Sequence, residues 1–226
     1  MSAKTATLVG ATGLIGGELL KLLLEDSYYQ SVRVLIRRPF EIEHLKLQKK
    51  LVDFNDADSL LVALDGSDTV FVAVGTTQRK VKGDKQAYRK VDYDIPVNIA
   101  RYSRMVGCQN FVLVSSVGAN SKSNNFYLKL KGEVENEIMK MEIGSVHIMQ
   151  PSMLLGHRKE PRPLEKIGQP MMRALSFLLP KKYKPIGAKA VARAMLNASK
   201  KNEKGVFVYQ FNEIINLAKS ESKFLH

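Results

Sequence analysis

VGATGLIGGELLKLLLED, Val9 to Asp26, is the stretch on which the reading of this chain turns. The apolar run TATLVG at 5–10 leads directly into glycines at 10, 13 and 16, and the residues behind them carry leucines at three- and four-residue spacing. That order predicts a strand, a tight turn and a helix from Leu14 to Glu25. Glycines at such a turn let the backbone approach a ligand closely. The free N–H groups and the positive dipole end of the helix behind them favour a phosphate. Because the pattern sits inside a strand–helix–strand unit near the start of the chain, it predicts a pyrophosphate cradle with contacts at Gly10, Gly13 and Gly16.

Working outward, short runs rich in Val, Leu, Ile and Phe recur: SVRVLI at 31–36, LVDF at 51–54, DTVFVAVG at 68–75, NFVLVSS at 110–116 and SVHIMQ at 145–150. Helical periodicity fills the gaps at Ala57–Leu64, Lys85–Val106 and Phe126–Glu142. Near-continuous apolar strands alternating with helices predict an α/β fold with a doubly wound parallel sheet, covered on both faces. The whole of 1–226 reads as a single domain. After Pro151 the pattern weakens. About 151–204 is expected to be a small substrate-side region, with a helix kinked near Pro170 that carries Leu164, Ile167, Met171, Leu175 and Leu178. AKAVARAMLNAS then reads as a helix, GVFVYQ as a strand and NEIINLAKS as a last helix.

The end of the second strand narrows the ligand. NAD-binding folds of this kind place an Asp or Glu there to accept from the ribose 2′-hydroxyl. This chain has Arg37 and Arg38 instead, which suit a 2′-phosphate, so NADP(H) is expected over NAD(H). Asp53 and Phe54, after the third strand, are expected beside the adenine.

Composition removes other classes. The 226 residues are 45% hydrophobic and 25% charged, within the range of ordinary folded domains. Cys108 is the single cysteine, so no intrachain disulfide or cysteine-rich zinc site can form, and a reducing, cytoplasmic setting is expected. His44, His147, His157 and His226 lack metal-ligand spacing, and no metal is expected. No apolar run is long enough to span a membrane. The net charge of +13 falls in short clusters such as Lys46–Lys50 and Lys181–Lys184 without a nucleic-acid-binding signature, so a solvated basic surface is expected rather than nucleic-acid binding.

The remaining chemistry lies in SSVGANSKSNNFYLKLKGEVENEIMKMEI. Ser123, Asn124 or Asn125 can cap a helix on which Tyr127 and Lys131 lie on one face with Val134, Ile138 and Met141, while Lys129 falls opposite. Lys131 thus occupies an inward stripe, where its ammonium needs a partner such as ribose hydroxyls. Beside Tyr127 it also favours the phenolate, which suits Tyr127 to proton transfer. Ser115 and Ser116 end the fifth strand, on the side where α/β sheets bind ligands, and either can bond a substrate carbonyl.

GATGLIG, the serine pair and the Tyr127–Lys131 pair resemble the short-chain dehydrogenase/reductase superfamily. More narrowly, AVGTTQRK, RKVDYD, VSSVGANSKSNNFYLKLKGEVE and VARAMLN resemble the Tat-interacting-protein oxidoreductase group, over about residues 5–200. The resemblance implies dinucleotide phosphate contacts from Gly10, Ala11, Thr12, Gly13, Leu14, Ile15 and Gly16. It implies a 2′-phosphate on Arg37 and Arg38, adenosine contacts from Val74, Gly75 and Thr76, and a catalytic pair of Tyr127 and Lys131. It places the nicotinamide by Pro151 and Ser152, where this chain has Gln150-Pro151-Ser152 in place of the Arg-Pro-Gly of related proteins. The expected activity is an NADPH-dependent oxidoreductase acting on a small carbonyl or alcohol. The alternatives are an NADP(H)-binding redox sensor acting on a protein partner and a nucleotide-sugar epimerase.

Overall fold

The structure is a computed structural model and describes residues 3–77, 81–155, 183–201 and 203–220. The expected kinked helix around Pro170 lies outside the described residues. Strands β1 (Thr5–Val9), β2 (Ser31–Ile36), β3 (Leu47–Leu51), β4 (Thr69–Val72), β5 (Asn110–Val114) and β6 (Ser145–Met149) alternate with helices α1 (Leu14–Glu25), α2 (Ala57–Leu64), α3 (Lys85–Arg89), α4 (Ile95–Met105) and α5 (Phe126–Met139). A π-helical turn, Lys90–Asp94, joins α3 to α4. Two short strands follow, β7 (Leu154–Leu155) and β8 (Ile186–Gly187), then α6 (Ala188–Ser199), β9 (Gly205–Tyr209) and α7 (Phe211–Lys219).

The main sheet has the order β3-β2-β1-β4-β5-β6-β9, and every pairing in it is parallel. The order reverses at β1, so the turns after β1 and β4 diverge and open a crevice at the carboxyl ends of the strands. The apolar stripe of α1 (Ile15, Leu19, Leu20, Leu23) joins Val191 and Met195 of α6 and Ile214 of α7 on one face. On the other, Leu60 and Leu64 of α2, Ile99 of α4, and Val134 and Ile138 of α5 cover the sheet. At ~1.5–3 kcal/mol for each fully buried side chain of this kind, these two layers are the main favourable term holding the sheet.

Two readings change. The third strand runs over Leu47–Leu51 rather than 51–54, because it is an edge strand whose residues are mostly exposed, and its Gln48, Lys49 and Lys50 hide it from an apolar-run search. The predicted helix 85–106 is divided by the π-helical turn. In the chain after β6, α6 lies beside α1 in the helical layer, and β9 extends the sheet past β6.

Candidate functional site

The glycine turn is built by contact. Gly13 N–H donates to the Gly10 carbonyl at 2.9 Å, and a Cβ on Gly16 would lie 2.0 Å from that same oxygen, so only glycine lets α1 start this close to β1. Gly13 is the N-cap of α1 and no side chain caps the helix, which leaves its first turn open to an anion. A cradle that any Cβ would fill, facing an uncapped helix start, fits a dinucleotide pyrophosphate.

Arg37 and Arg38 follow β2 directly and are exposed. Among the described residues no carboxylate lies within ion-pair distance of either. Asp53 and Phe54 sit just past β3. The Asp53 carboxylate accepts from Asn55 N–H at 2.9 Å and is turned into its own loop, while Phe54 lines a cavity of about 310 Å³ with Lys90, Tyr93, Asn98 and Arg101. Val74, Gly75 and Thr76 leave the end of β4. Thr76 N–H donates to Asp92 Oδ2 at 2.7 Å, which ties this loop to the π-helical turn.

Tyr127 and Lys131 stand on α5, whose N-cap is Asn125, accepting from Leu128 N–H at 3.1 Å. Gly132 lets α5 touch the preceding loop, since a Cβ there would lie 2.2 Å from Ser121 N. Lys131 is buried, with its Nζ 5.9 Å from the centre of the Tyr127 ring. Its partner is one that sequence reasoning missed: Asp92 Oδ1, at 3.0 Å, from a residue only 1% exposed. Asp92 therefore binds the ammonium with one oxygen and the β4 loop with the other. The signal was present, because Asp92 interrupts the apolar stripe Tyr88–Ile95–Ile99, all buried, where an acid needs a compensating charge. A π-helical turn is also a frequent mark of function.

The serine pair separates. Phe111 and Leu113 of β5 face α5, and strand alternation puts Ser115 on their side and Ser116 on the other. Ser115 is buried beside the Glu135 carboxyl, yet its hydroxyl has no hydrogen-bond partner. Ser116 is half-buried, with only a long 3.4 Å contact to the Val117 carbonyl. After β6, Pro151 is buried and its carbonyl accepts from Val117 N–H at 3.0 Å, whereas the Ser152 hydroxyl donates to the Lys184 carbonyl. The predicted site residues thus all lie at the carboxyl ends of β1 through β6. Among the described residues no cluster of His, Cys, Asp and Glu could hold a metal ion, and no helix is long and apolar enough to cross a membrane.

Residues 10–158 match the family model described as NAD(P)H-binding, a span that includes the glycine turn, Asp92, Tyr127 and Lys131. The chain belongs to this NAD(P)H-binding family. Within the family it is 32% identical over 200 residues to Protein HTATIP2 of Rattus norvegicus, covering 87% of this chain and 81% of the relative. It is 30% identical over 224 residues to Protein FMP52, mitochondrial, of Candida albicans, covering 94% and 97%. Solved structures share the Rossmann-like fold at low identity. MoeE5 in complex with UDP-glucose and NAD superposes with a TM-score of 0.69 at 17% identity, over 95% of this chain and 80% of that one. A UDP-N-acetylglucosamine 4-epimerase from Methanobrevibacter ruminantium M1 gives 0.71 at 16%, over 96% and 81%. The solved structures that share this fold include both epimerases and a dehydrogenase.

Proposed function

We propose that this member of the NAD(P)H-binding family is an NADPH-dependent oxidoreductase that interconverts a small carbonyl compound and its alcohol. The observation that carries the reading is the buried Lys131, fixed by Asp92 at 3.0 Å and set against Tyr127 at the end of the crevice opened by the glycine turn. A lysine held out of water by a carboxylate, beside an otherwise unengaged tyrosine, is an arrangement for proton transfer rather than for packing.

The backbone of Gly10–Gly16 holds the pyrophosphate, and Arg37 and Arg38 pair with the 2′-phosphate. A dihydronicotinamide held there would supply the hydride for the carbonyl carbon. Tyr127 gives its hydroxyl proton to the carbonyl oxygen, and the Lys131 ammonium stabilises the phenolate left behind. Ser116 orients the carbonyl oxygen by a hydrogen bond. Asp92 holds the Lys131 side chain in place.

Fluorescence titration with NADPH and NADH tests the cofactor, and the expected result is tighter NADPH binding that Arg37→Ala/Arg38→Ala brings to the level of NADH. Equal affinities in the unaltered protein would end the 2′-phosphate assignment. For the chemistry, a panel of aldehydes and ketones is reduced with NADPH by the unaltered protein and by Tyr127→Phe. Turnover that survives the substitution removes Tyr127 as the acid.

A further inference from the structure

Glu135 is a buried carboxyl at the functional end of the sheet for which the chemistry above has no use. It stands one helical turn beyond Lys131 on α5 and is 6% exposed. Both its oxygens accept from the Gln150 side-chain amide, at 3.0 Å each, and the Gln150 carbonyl oxygen accepts from the Gln210 amide at 3.1 Å. Gln150 is the first residue after β6, and Gln210 the first after β9. The chain of contacts therefore runs from α5 across the carboxyl ends of two strands. On its other side Glu135 adjoins the buried Ser115 hydroxyl, which makes no hydrogen bond among the described residues.

The charges around it are few. Lys131 is the cation that acts on Glu135, and it is already engaged by Asp92. At the far end of the chain Glu213 accepts from the Gln210 backbone N–H at 3.1 Å. His147 projects to the opposite face of the sheet, against Phe207 and Tyr209. Ionised Glu135 thus adds a second carboxylate to one buried ammonium. Burial pushes the carboxyl above its usual range, while Ser115, Gln150 and Lys131 draw it part of the way back.

We propose that Glu135 is a positioning residue for the proposed NADPH-dependent reaction: ionised, it fixes the Pro151–Ser152 loop through Gln150, and its protonation releases that loop. The loop held this way is the one that follows β6, where Gln150 N–H and the Ser152 hydroxyl bond to Tyr209 and Lys184. Protonation converts one acceptor oxygen into a donor, so the Gln150 amide can no longer bond both oxygens. Ser115, buried beside Glu135, leaves the half-buried Ser116 to meet the substrate. The inference rests on the functional reading for its consequence and on this hydrogen-bond chain for its mechanism.

Hydrogen exchange of the 150–155 backbone, followed against pH and corrected for intrinsic rates, reads the loop without any ligand. In the unaltered protein, protection falls as pH drops through the raised value of Glu135. Glu135→Gln cannot titrate and keeps one bond to Gln150, so its protection is expected to be independent of pH. Glu135→Ala leaves the Gln150 amide nitrogen without its acceptor and is expected to be poorly protected throughout. NADPH affinity, measured in parallel, should weaken about tenfold across the same window in the unaltered protein and less than about twofold in Glu135→Gln. The same pH midpoint in both proteins, or Glu135→Ala protected like the parent, would overturn the proposal. A loop that titrates as expected in a protein that binds no NADPH at any pH would instead overturn the oxidoreductase reading.

Discussion

Lys131 Nζ lies 3.0 Å from Asp92 Oδ1, and both side chains are buried, the aspartate almost completely. Two elements far apart in sequence meet in this pair, which fastens the π-helical turn to α5. Removing the carboxylate takes away the counter-charge bonded to a buried ammonium and leaves only the Glu135 carboxyl near it, at a cost of about 3–5 kcal/mol. Asp92→Ala is therefore expected to lose that much in urea denaturation, and Asp92→Ala/Lys131→Met to regain a large part of it. A single variant within about 1 kcal/mol of the parent would show that Glu135, solvent or backbone dipoles carry the charge instead.

The glycine turn allows a paired test, because Gly16 and Gly17 are neighbours with opposite surroundings. A Cβ on Gly16 would overlap the Gly10 carbonyl at 2.0 Å, and backbone cannot rotate away as a side chain can. On Gly17 it would meet Ala11 O at 3.5 Å, an ordinary contact. Gly16→Ala is expected to cost at least about 3 kcal/mol and to abolish NADPH binding. Gly17→Ala, inside α1, is expected to stabilise by up to ~1 kcal/mol through helix propensity and to bind as the parent does. Equal losses at both positions would mean that the turn is governed by flexibility rather than by contact.

These glycines also show why the fold was legible. α1, α2 and α6 begin and end where the sequence reading put them, because each carries a buried stripe at helical spacing bounded by residues that stop it. β3 was misplaced since an exposed edge strand has little apolar pattern to read. The site was half legible. Tyr127 and Lys131 share a local spacing, whereas Asp92 and Glu135 act across the fold, through partners that only packing brings near. Both acids nevertheless interrupt buried helical stripes, Asp92 after Tyr88 and Glu135 before Ile138, and an acid in such a stripe marks a compensated or functional charge.

His147 gives a pH dependence unconnected with the site. Its ring is fully buried and stacked near Phe207 and Tyr209, with the nitrogens bonded to the Ser145 and Tyr209 hydroxyls at 3.0 Å each. Burial pushes its pKa down from 6.5 to about 4. The unfolded chain then takes up the proton first as pH falls, so stability is present above the unfolded value and is lost between 6.5 and about 4. At ~1.4 kcal/mol for each pH unit in that window, the loss amounts to about 3 kcal/mol. His147→Gln cannot titrate, and the difference in unfolding free energy between parent and variant is expected to shrink by that amount from pH 7 to pH 4. Glu135 titrates in both proteins with the opposite sign and cancels in the difference. A constant difference would mean that burial does not shift the imidazole from its unfolded value.

Gly132 links packing to the candidate site most directly. It adjoins Lys131 on α5, and a Cβ there would lie 2.2 Å from Ser121 N and 2.3 Å from Asn120 C. That loop is also tied to α5 by Asn120 N–H donating to the Leu128 carbonyl at 3.0 Å and by the Asn136 amide donating to Ser121 Oγ at 2.9 Å. Neither side can yield alone, so Gly132→Ala is expected to displace α5 and to cost about 2–3 kcal/mol, or roughly 5–10 °C in Tm for a domain of this size. The same displacement carries Tyr127 and Lys131 away from Asp92. NADPH affinity should therefore fall with stability, whereas Lys129→Ala, on the exposed face of the same helix, should change neither. A Gly132→Ala protein that melts early but binds NADPH as the parent does would separate the packing of α5 from the site and place cofactor binding on the glycine turn and the β2 arginines alone.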